Sequence, residues 1–255
     1  MPAETKDQRR STAESFRPLR IGLPWPQYRR LLWNEATPSR VLAEIEFDNL
    51  CATELSGCER RVLVAGGSRA VGGSDHVALG RRMAEIPTVF VDLLPSRIPD
   101  VAANLTHRWP FRDNAFDVVV STWVVEHLPD PAIYFRETYR VLRRPGLFLC
   151  AVPFLYRQHG SPQDFVRLTD DGLRYLSSAA GFDDMRVHRV GGGPLMCCVS
   201  LLWPILGVPV FGLATLALAA AGDKALTLVS RLAGRRGEVL QSYPVAYVLA
   251  AQKQG

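Results

Sequence analysis

The sequence predicts an α/β protein organised around a mostly parallel sheet with helices on both faces. Three observations carry this expectation. Phe116 to Thr122 (FDVVVST) is a short valine-rich run, which suits a strand buried on both faces. Pro131 to Arg143 sets apolar Ile133, Phe135, Val141 and Leu142 between charges, the pattern of an amphipathic helix. Leu147 to Val152 is a second buried run. A strand, a crossover helix and a second strand make a parallel unit.

Local signals punctuate these elements. Asp130 before Pro131 supplies a capping carboxylate and then proline at the first helical position. Arg143 and Arg144 are expected at the negative end of that helix, with Pro145-Gly146 as its stop. Thr37-Pro38 opens a helix towards Leu55, with Val41, Leu42, Ile45 and Leu50 on its apolar side. Arg61 to Ser68 (RVLVAGGS) reads as the first strand and its turn, and Thr88 to Asp92 (TVFVD) as the second strand. Thr169 caps a helix ending near Gly181, Met185 to Val190 is the sixth strand, and Tyr243 to Ala251 the last.

The 255 residues suffice for one large α/β domain with additions. A net charge of +5 and a pI near 9.1 are mildly basic, and no aromatic-interleaved basic patch accompanies them, so nucleic acid is not an expected partner. Cys51, Cys58, Cys150, Cys197 and Cys198 form no C-x-x-C ligand pair and read as free thiols of a reducing compartment, with no metal expected. Residues 1–20 are polar, carry Arg9, Arg10, Arg17 and Arg20, and lack the apolar core of a signal peptide, so they read as a disordered arm. Ile21 to Trp33 is aromatic and proline-containing, either a lid or packing.

The block WPFRDNAFDVVVSTWVVEHLPDP, followed by RETYRVLRRPGLFLCAVPF, resembles the central block of class I S-adenosylmethionine (SAM)-dependent methyltransferases of the type 11 branch. The resemblance covers roughly residues 60 to 190, with a last strand near the C-terminus. It implies a Rossmann-like, seven-stranded, mostly parallel sheet with an antiparallel last strand, and SAM as cofactor. Glycine in the first turn lets the backbone approach a ligand, so Ala65, Gly66 and Gly67 are implied in cofactor binding. Val64 stands where the pattern has an acid, and Ser68 and Ala70 where it has later glycines; Gly72, Gly73 and Asp75 follow. Asp92, with Leu93 beside it, ends the second strand where a carboxylate accepts from both ribose hydroxyls. Asn104 takes the adenine-facing position, where an amide can both accept and donate, with Leu105 against the ring. Thr122 ends the fourth strand under the methionine end.

Two histidines are candidates for a proton-accepting role, because imidazole titrates near neutrality. His127 occupies the E-H position after Trp123 and Glu126, and either serves the site or is a structural loop residue. His159 belongs to the order H-G-x-P-x-D-F-x-R-x-T, which recurs in one subgroup of these methyltransferases. In that segment Asp164 and Arg167 are expected to pair and brace the loop.

Gly191 to Gly222 contains no Asp, Glu, Lys or Arg and interrupts the plan before the last strand. A single crossing of a bilayer would separate that strand from its sheet, and Pro204, Gly207 and Pro209 break the run. Arg186 and Arg189 precede it, and Lys224, Arg231, Arg235 and Arg236 follow. The segment therefore reads as a helical hairpin dipping into one leaflet through residues 195–221, or else as a buried insertion or homodimer contact. The expected organisation is an arm and lid over 1–36, a SAM-binding domain over 37–190, an apolar helical insertion over 191–240 and the returning strand over 241–255. The expected activity is methyl transfer to an oxygen of a small-molecule, glycan or lipid-linked acceptor, in the cytoplasm and peripheral to the inner face of the membrane. The alternative is a non-catalytic relative that keeps the fold as a binding or assembly subunit.

Overall fold

The computed structural model describes residues 38–55, 60–67, 86–95, 98–160, 163–191, 193–206, 209–234 and 242–255. The expected arm and lid over 1–36, and Ser68, Ala70, Gly72, Gly73 and Asp75, lie outside these residues.

Seven strands form one sheet: β1 (Val62–Ala65), β2 (Thr88–Asp92), β3 (Val101–Ala102), β4 (Phe116–Thr122), β5 (Leu142–Pro153), β6 (Asp184–Val190) and β7 (Ala246–Lys253). Their order is β3-β2-β1-β4-β5-β7-β6. The pairs β2/β3, β1/β2, β1/β4 and β4/β5 are parallel. The amide of Asp183 donates to Gln252 O (3.2 Å), and that of Val245 to Val190 O (2.8 Å). This opposite sense along the two strands makes β6 and β7 antiparallel. The central strands are apolar throughout because both faces are covered: Val62, Leu63, Val118, Val119, Val120, Phe148 and Leu149 are all buried.

The described helices are α1 (Pro38–Glu54), α2 (Pro131–Val141), α3 (Asp170–Ala180), α4 (Pro194–Leu206) and α5 (Pro209–Leu232). The caps fall where the sequence puts them. Asp130 Oδ1 accepts from Ala132 N (2.9 Å), Thr169 Oγ1 accepts from Gly172 N (3.1 Å), and Gly181 ends α3 in the left-handed region at φ +108°. Three boundaries differ: the last strand runs Ala246–Lys253 rather than Tyr243 to Ala251, β5 begins before Leu147, and α2 ends early. α2 stops at Val141, and β5 starts at Leu142 with a register irregularity against β4. Arg143 is thus not a helix-end residue; it donates to Asp117 Oδ1 (3.2 Å) and to Asn114 O. The carbonyls of Tyr139 and Leu142 accept from Lys253 Nζ (2.8 and 2.6 Å), so the last residue of β7 closes the end of α2.

Two compact units are distinguished. Residues 43–187 with 247–255 hold the sheet core just described. Residues 188–246 hold α4 and α5, which pack against each other as a hairpin. Asp223, in α5, is buried and accepts from the amides of Leu195 and Met196 (3.0 and 2.9 Å), two donors that the first turn of α4 leaves unpaired. Gly193, at φ +119°, has no room for a Cβ, which would lie 2.6 Å from Asp223 Cγ. Among the described residues no helix is long and apolar enough to cross a membrane.

A junction beneath the sheet fixes the stretch that leads into β4. Glu137 Oε2 accepts from Trp109 N (2.8 Å) and from Arg140 Nη2 (2.7 Å). Arg140 also donates to Phe111 O (2.8 Å), Trp109 O (3.1 Å) and Asp113 Oδ1 (2.7 Å). Burial works against ionisation of Glu137, but the bonds from Arg140 and the Trp109 amide outweigh it and hold its carboxyl below the usual value. A carboxyl lowered on folding contributes stability above its unfolded pKa and loses it as pH falls through the folded one. Glu137→Gln should therefore destabilise the protein by about 1–3 kcal/mol at pH 7 in urea denaturation. The gap from wild type should narrow as pH falls below the ordinary glutamate value and through the lower one of the folded carboxyl. An unchanged midpoint at pH 7 would show that the junction contributes nothing.

Candidate active site

Parallel strands end on the same edge of a sheet, and the predicted site residues follow from that rule. Ala65, Gly66 and Gly67 lie at the end of β1, Asp92 and Leu93 at the end of β2, and Asn104 and Leu105 just after β3. Thr122 ends β4, His127 closes a short 3₁₀ turn (Val125–His127) after it, and His159 lies in the loop after β5. The strand order makes β3, β2, β1, β4 and β5 successive neighbours, so these residues form one row along the sheet edge.

The glycine turn is tightly packed. Gly66 has φ +82°, and a Cβ there would lie 2.2 Å from Val124 Cγ2; at Gly67 it would lie 2.6 Å from Val64 Cγ1. Both glycine amides donate to Val91 O, at 2.7 and 3.3 Å. Asp92 is 5% exposed, and its Oδ1 accepts from Leu94 N (2.9 Å), which orients the carboxylate at the strand's end. Leu93 is exposed beside it. Asn104 is exposed and its Oδ1 accepts from the amide and hydroxyl of Thr106 (3.0 and 2.8 Å), an Asx turn. Leu105 is buried in the core, and its carbonyl accepts from Trp109 Nε1 (3.3 Å), so its position depends on the Glu137 junction.

The histidines come together because the loop after β5 folds back over the turn after β4. The amides of Phe165 and Val166 donate to Glu126 O (2.7 and 3.3 Å). Arg167 and Asp164 form the expected brace through two hydrogen bonds, Nη1 to Oδ1 and Nη2 to Oδ2. That guanidinium, together with the His159 amide, outweighs burial and brings the Asp164 carboxyl to about 2. The His127 and His159 rings stand edge to face, with centroids 5.0 Å apart. His159 also meets Tyr156, which in turn meets Trp123. Burial first, then the neighbouring His127, pull the His159 pKa below 6.5, so its imidazole is neutral at pH 7.

Glu126 is the residue that sequence reasoning left without a role. It is 1% exposed, and its Oε1 lies 3.8 Å from His127 Nε2 and 3.7 Å from His159 Nε2. The E-H pair was visible in the sequence, but the approach of His159 depends on a loop fold that no periodicity encodes. Cys150 in β5 is buried, and that burial pushes its thiol up, away from nucleophile chemistry. A cavity lined by Arg61, Thr88, Arg112, Phe116 and Arg143 opens at the opposite ends of the strands and contains none of the predicted site residues.

Comparisons with known proteins bear on the fold and on the central block of the sequence. The family described as "Methyltransferase domain" matches residues 81–150. Proteins from two Mycobacterium tuberculosis strains, each named "Probable S-adenosylmethionine-dependent methyltransferase", are 33% identical over 146 residues, which is 53% of this chain and 53% of theirs. The chain thus spans about half the length of the curated relatives it matches. A SAM-dependent methyltransferase from Archaeoglobus fulgidus superposes with a TM-score of 0.55 at 16% identity, covering 90% of this chain and all of that one. Phosphoethanolamine N-methyltransferase 2 of Haemonchus contortus, solved with SAM, gives 0.51 at 16% identity over 82% of this chain and 53% of that one. The fold is that of class I SAM-dependent methyltransferases, and residues 81–150 within it match the methyltransferase-domain family.

Proposed function

We propose that this chain transfers a methyl group from SAM to an oxygen of a small-molecule, glycan or lipid-linked acceptor at a membrane surface. The observation that carries the reading is the row of strand ends, with Asp92 next to the glycine turn on one side and the two histidines on the other. The residues present fit the nucleoside end of SAM. A carboxylate has several acceptor sites on two oxygens, so Asp92 can hold Leu94 N and take ribose hydroxyls as well. Gly66 and Gly67 let the turn pack directly against Val124 and Val64, which fixes its backbone at the end of β1.

SAM, when bound, supplies a methyl carbon made electrophilic by a sulfonium. Asp92 anchors the ribose, the turn after β1 sets the depth of binding, and Trp123 and Tyr156 wall the acceptor side. His159, neutral and facing Glu126, is the base candidate for an acceptor hydroxyl, with His127 beside it. Such a base is what an oxygen acceptor needs, and this supports oxygen over an already nucleophilic amine.

Support for a membrane surface comes from the hairpin. Ile205 (80% exposed), Leu218 (72%) and Leu232 (80%) are open to solvent, as are Leu201, Leu202, Leu228 and Val229. Each such side chain forgoes roughly 1.5–3 kcal/mol in water. This apolar surface runs past Ala221 to Leu232, with Lys224 and Arg231 on the same helix to meet anionic headgroups.

Two measurements test the reading. Incubated with SAM and fractionated cell extracts, the protein should release S-adenosylhomocysteine with the organic-soluble fraction. His159→Ala should lower turnover about 10²–10⁴-fold. Release with no fraction at all would reject methyl transfer. In flotation with vesicles of mixed anionic and zwitterionic lipid, the protein should rise with the vesicles, and Leu218→Glu with Leu228→Glu should leave it at the bottom. Wild-type protein that does not float would remove the membrane from the account.

A further inference from the structure

We propose that Glu126, His127 and His159 form a binding site for one divalent transition-metal ion. The argument starts from the tautomers. His127 Nδ1 lies 2.6 Å from Gln163 O. A carbonyl can only accept, so Nδ1 carries the proton and Nε2 presents a lone pair. His159 Nδ1 lies 3.3 Å from Arg157 O and 3.4 Å from Asp164 Oδ2, again two acceptors, so its Nε2 also presents a lone pair. Both Nε2 atoms face the same carboxylate oxygen, Glu126 Oε1, at 3.8 and 3.7 Å.

Three electron-pair donors thus converge, with one ligand atom from each residue within 4.8 Å of the others. The separations from Oε1 are too long for direct hydrogen bonds. Ligand atoms each about 2.1 Å from one metal stand about 3.0–3.4 Å apart at octahedral or tetrahedral angles, so the two separations from Oε1 need to close by only roughly half an ångström, with the two imidazoles turning towards each other from within 4.8 Å. The surroundings suit the role. Each imidazole is held through Nδ1 by a carbonyl or carboxylate, as metal-ligating histidines are. Arg167 is neutralised by its two bonds to Asp164. Asp164 therefore both holds the loop and backs the His159 ring.

Two imidazoles and one carboxylate form the donor set of open-sided zinc and iron(II) centres, which keep positions for an exogenous ligand. With the ion bound, the His159 Nε2 lone pair is no longer available as a base, so an acceptor oxygen would take one of those positions and be made acidic by the metal instead. That last assignment rests on the methyl-transfer reading; the metal site itself does not.

The test uses the full chain, stripped with chelator, reduced and titrated calorimetrically with Zn²⁺ alone and no SAM. One ion should bind. His159→Ala and His127→Ala should each weaken binding at least about 100-fold, whereas Asp164→Asn should cost about 10–100-fold, as outer partners do. Both histidines are partly exposed, so these variants are expected to fold, and circular dichroism checks that they do. Co²⁺ substitution should give a visible spectrum without the thiolate charge-transfer band of a cysteine site. Failure of the wild type to bind, binding unchanged in both histidine variants, or a thiolate band would each overturn the proposal. A chain that binds SAM but no metal refutes this site alone, and one that binds metal but no SAM refutes methyl transfer alone.

Discussion

The sheet edge that carries the candidate site depends on the ion pair between Glu137 and Arg140. These two residues on α2 hold the WPFRDN stretch through the backbone of Trp109 and Phe111 and the side chain of Asp113. Trp109 then holds the carbonyl of Leu105, and Trp109 is itself buried against Tyr134, whose hydroxyl donates to Ser121 of β4 (2.7 Å). The loop at Asn104-Leu105 and the end of β4 are thus set by one helix. The motif that reads as a family signature in the sequence is, in physical terms, the wiring of that junction. An Arg with four backbone or carboxylate partners, each a charge-assisted bond, fixes geometry better than apolar packing, which has no direction.

The sheet and its helices were legible because they rest on local rules. Apolar continuity marked β4 and β5, Asp130 and Thr169 announced their caps, and Asp92 ended β2 as read. The strand β3 is only two residues, Val101–Ala102, too short for any pattern. The early end of α2 reflects Leu142 pairing with Phe116, a contact between residues far apart in sequence. Asp223 lies one residue past the uncharged stretch, yet it caps α4 from across the hairpin, 28 residues from Leu195. The candidate site was legible as positions along strand ends. Its meeting point at Glu126 was not, because His127 and Gln163 are 36 residues apart and only the fold-back onto Glu126 O joins them.

The glycine turn carries a division of labour. Where the resembled pattern has an acid, this chain has buried Val64, and both amides of Gly66 and Gly67 are already bonded to Val91 O. Little at this described part of the turn is left to recognise the amino-acid end of SAM. Under the proposed function, recognition would then fall more heavily on Asp92. The same features are what a non-catalytic relative would retain, so cofactor binding separates the two readings before any acceptor is known.

The most direct measurement is calorimetric titration of the purified chain with SAM, beside Asp92→Ala. The account predicts one bound SAM in the wild type. In the variant, affinity should fall by about 1.5–3 kcal/mol, the cost of removing a charged hydrogen-bonding partner from a buried site. Absence of SAM binding by folded wild-type protein would contradict the account and leave a methyltransferase fold used for another purpose.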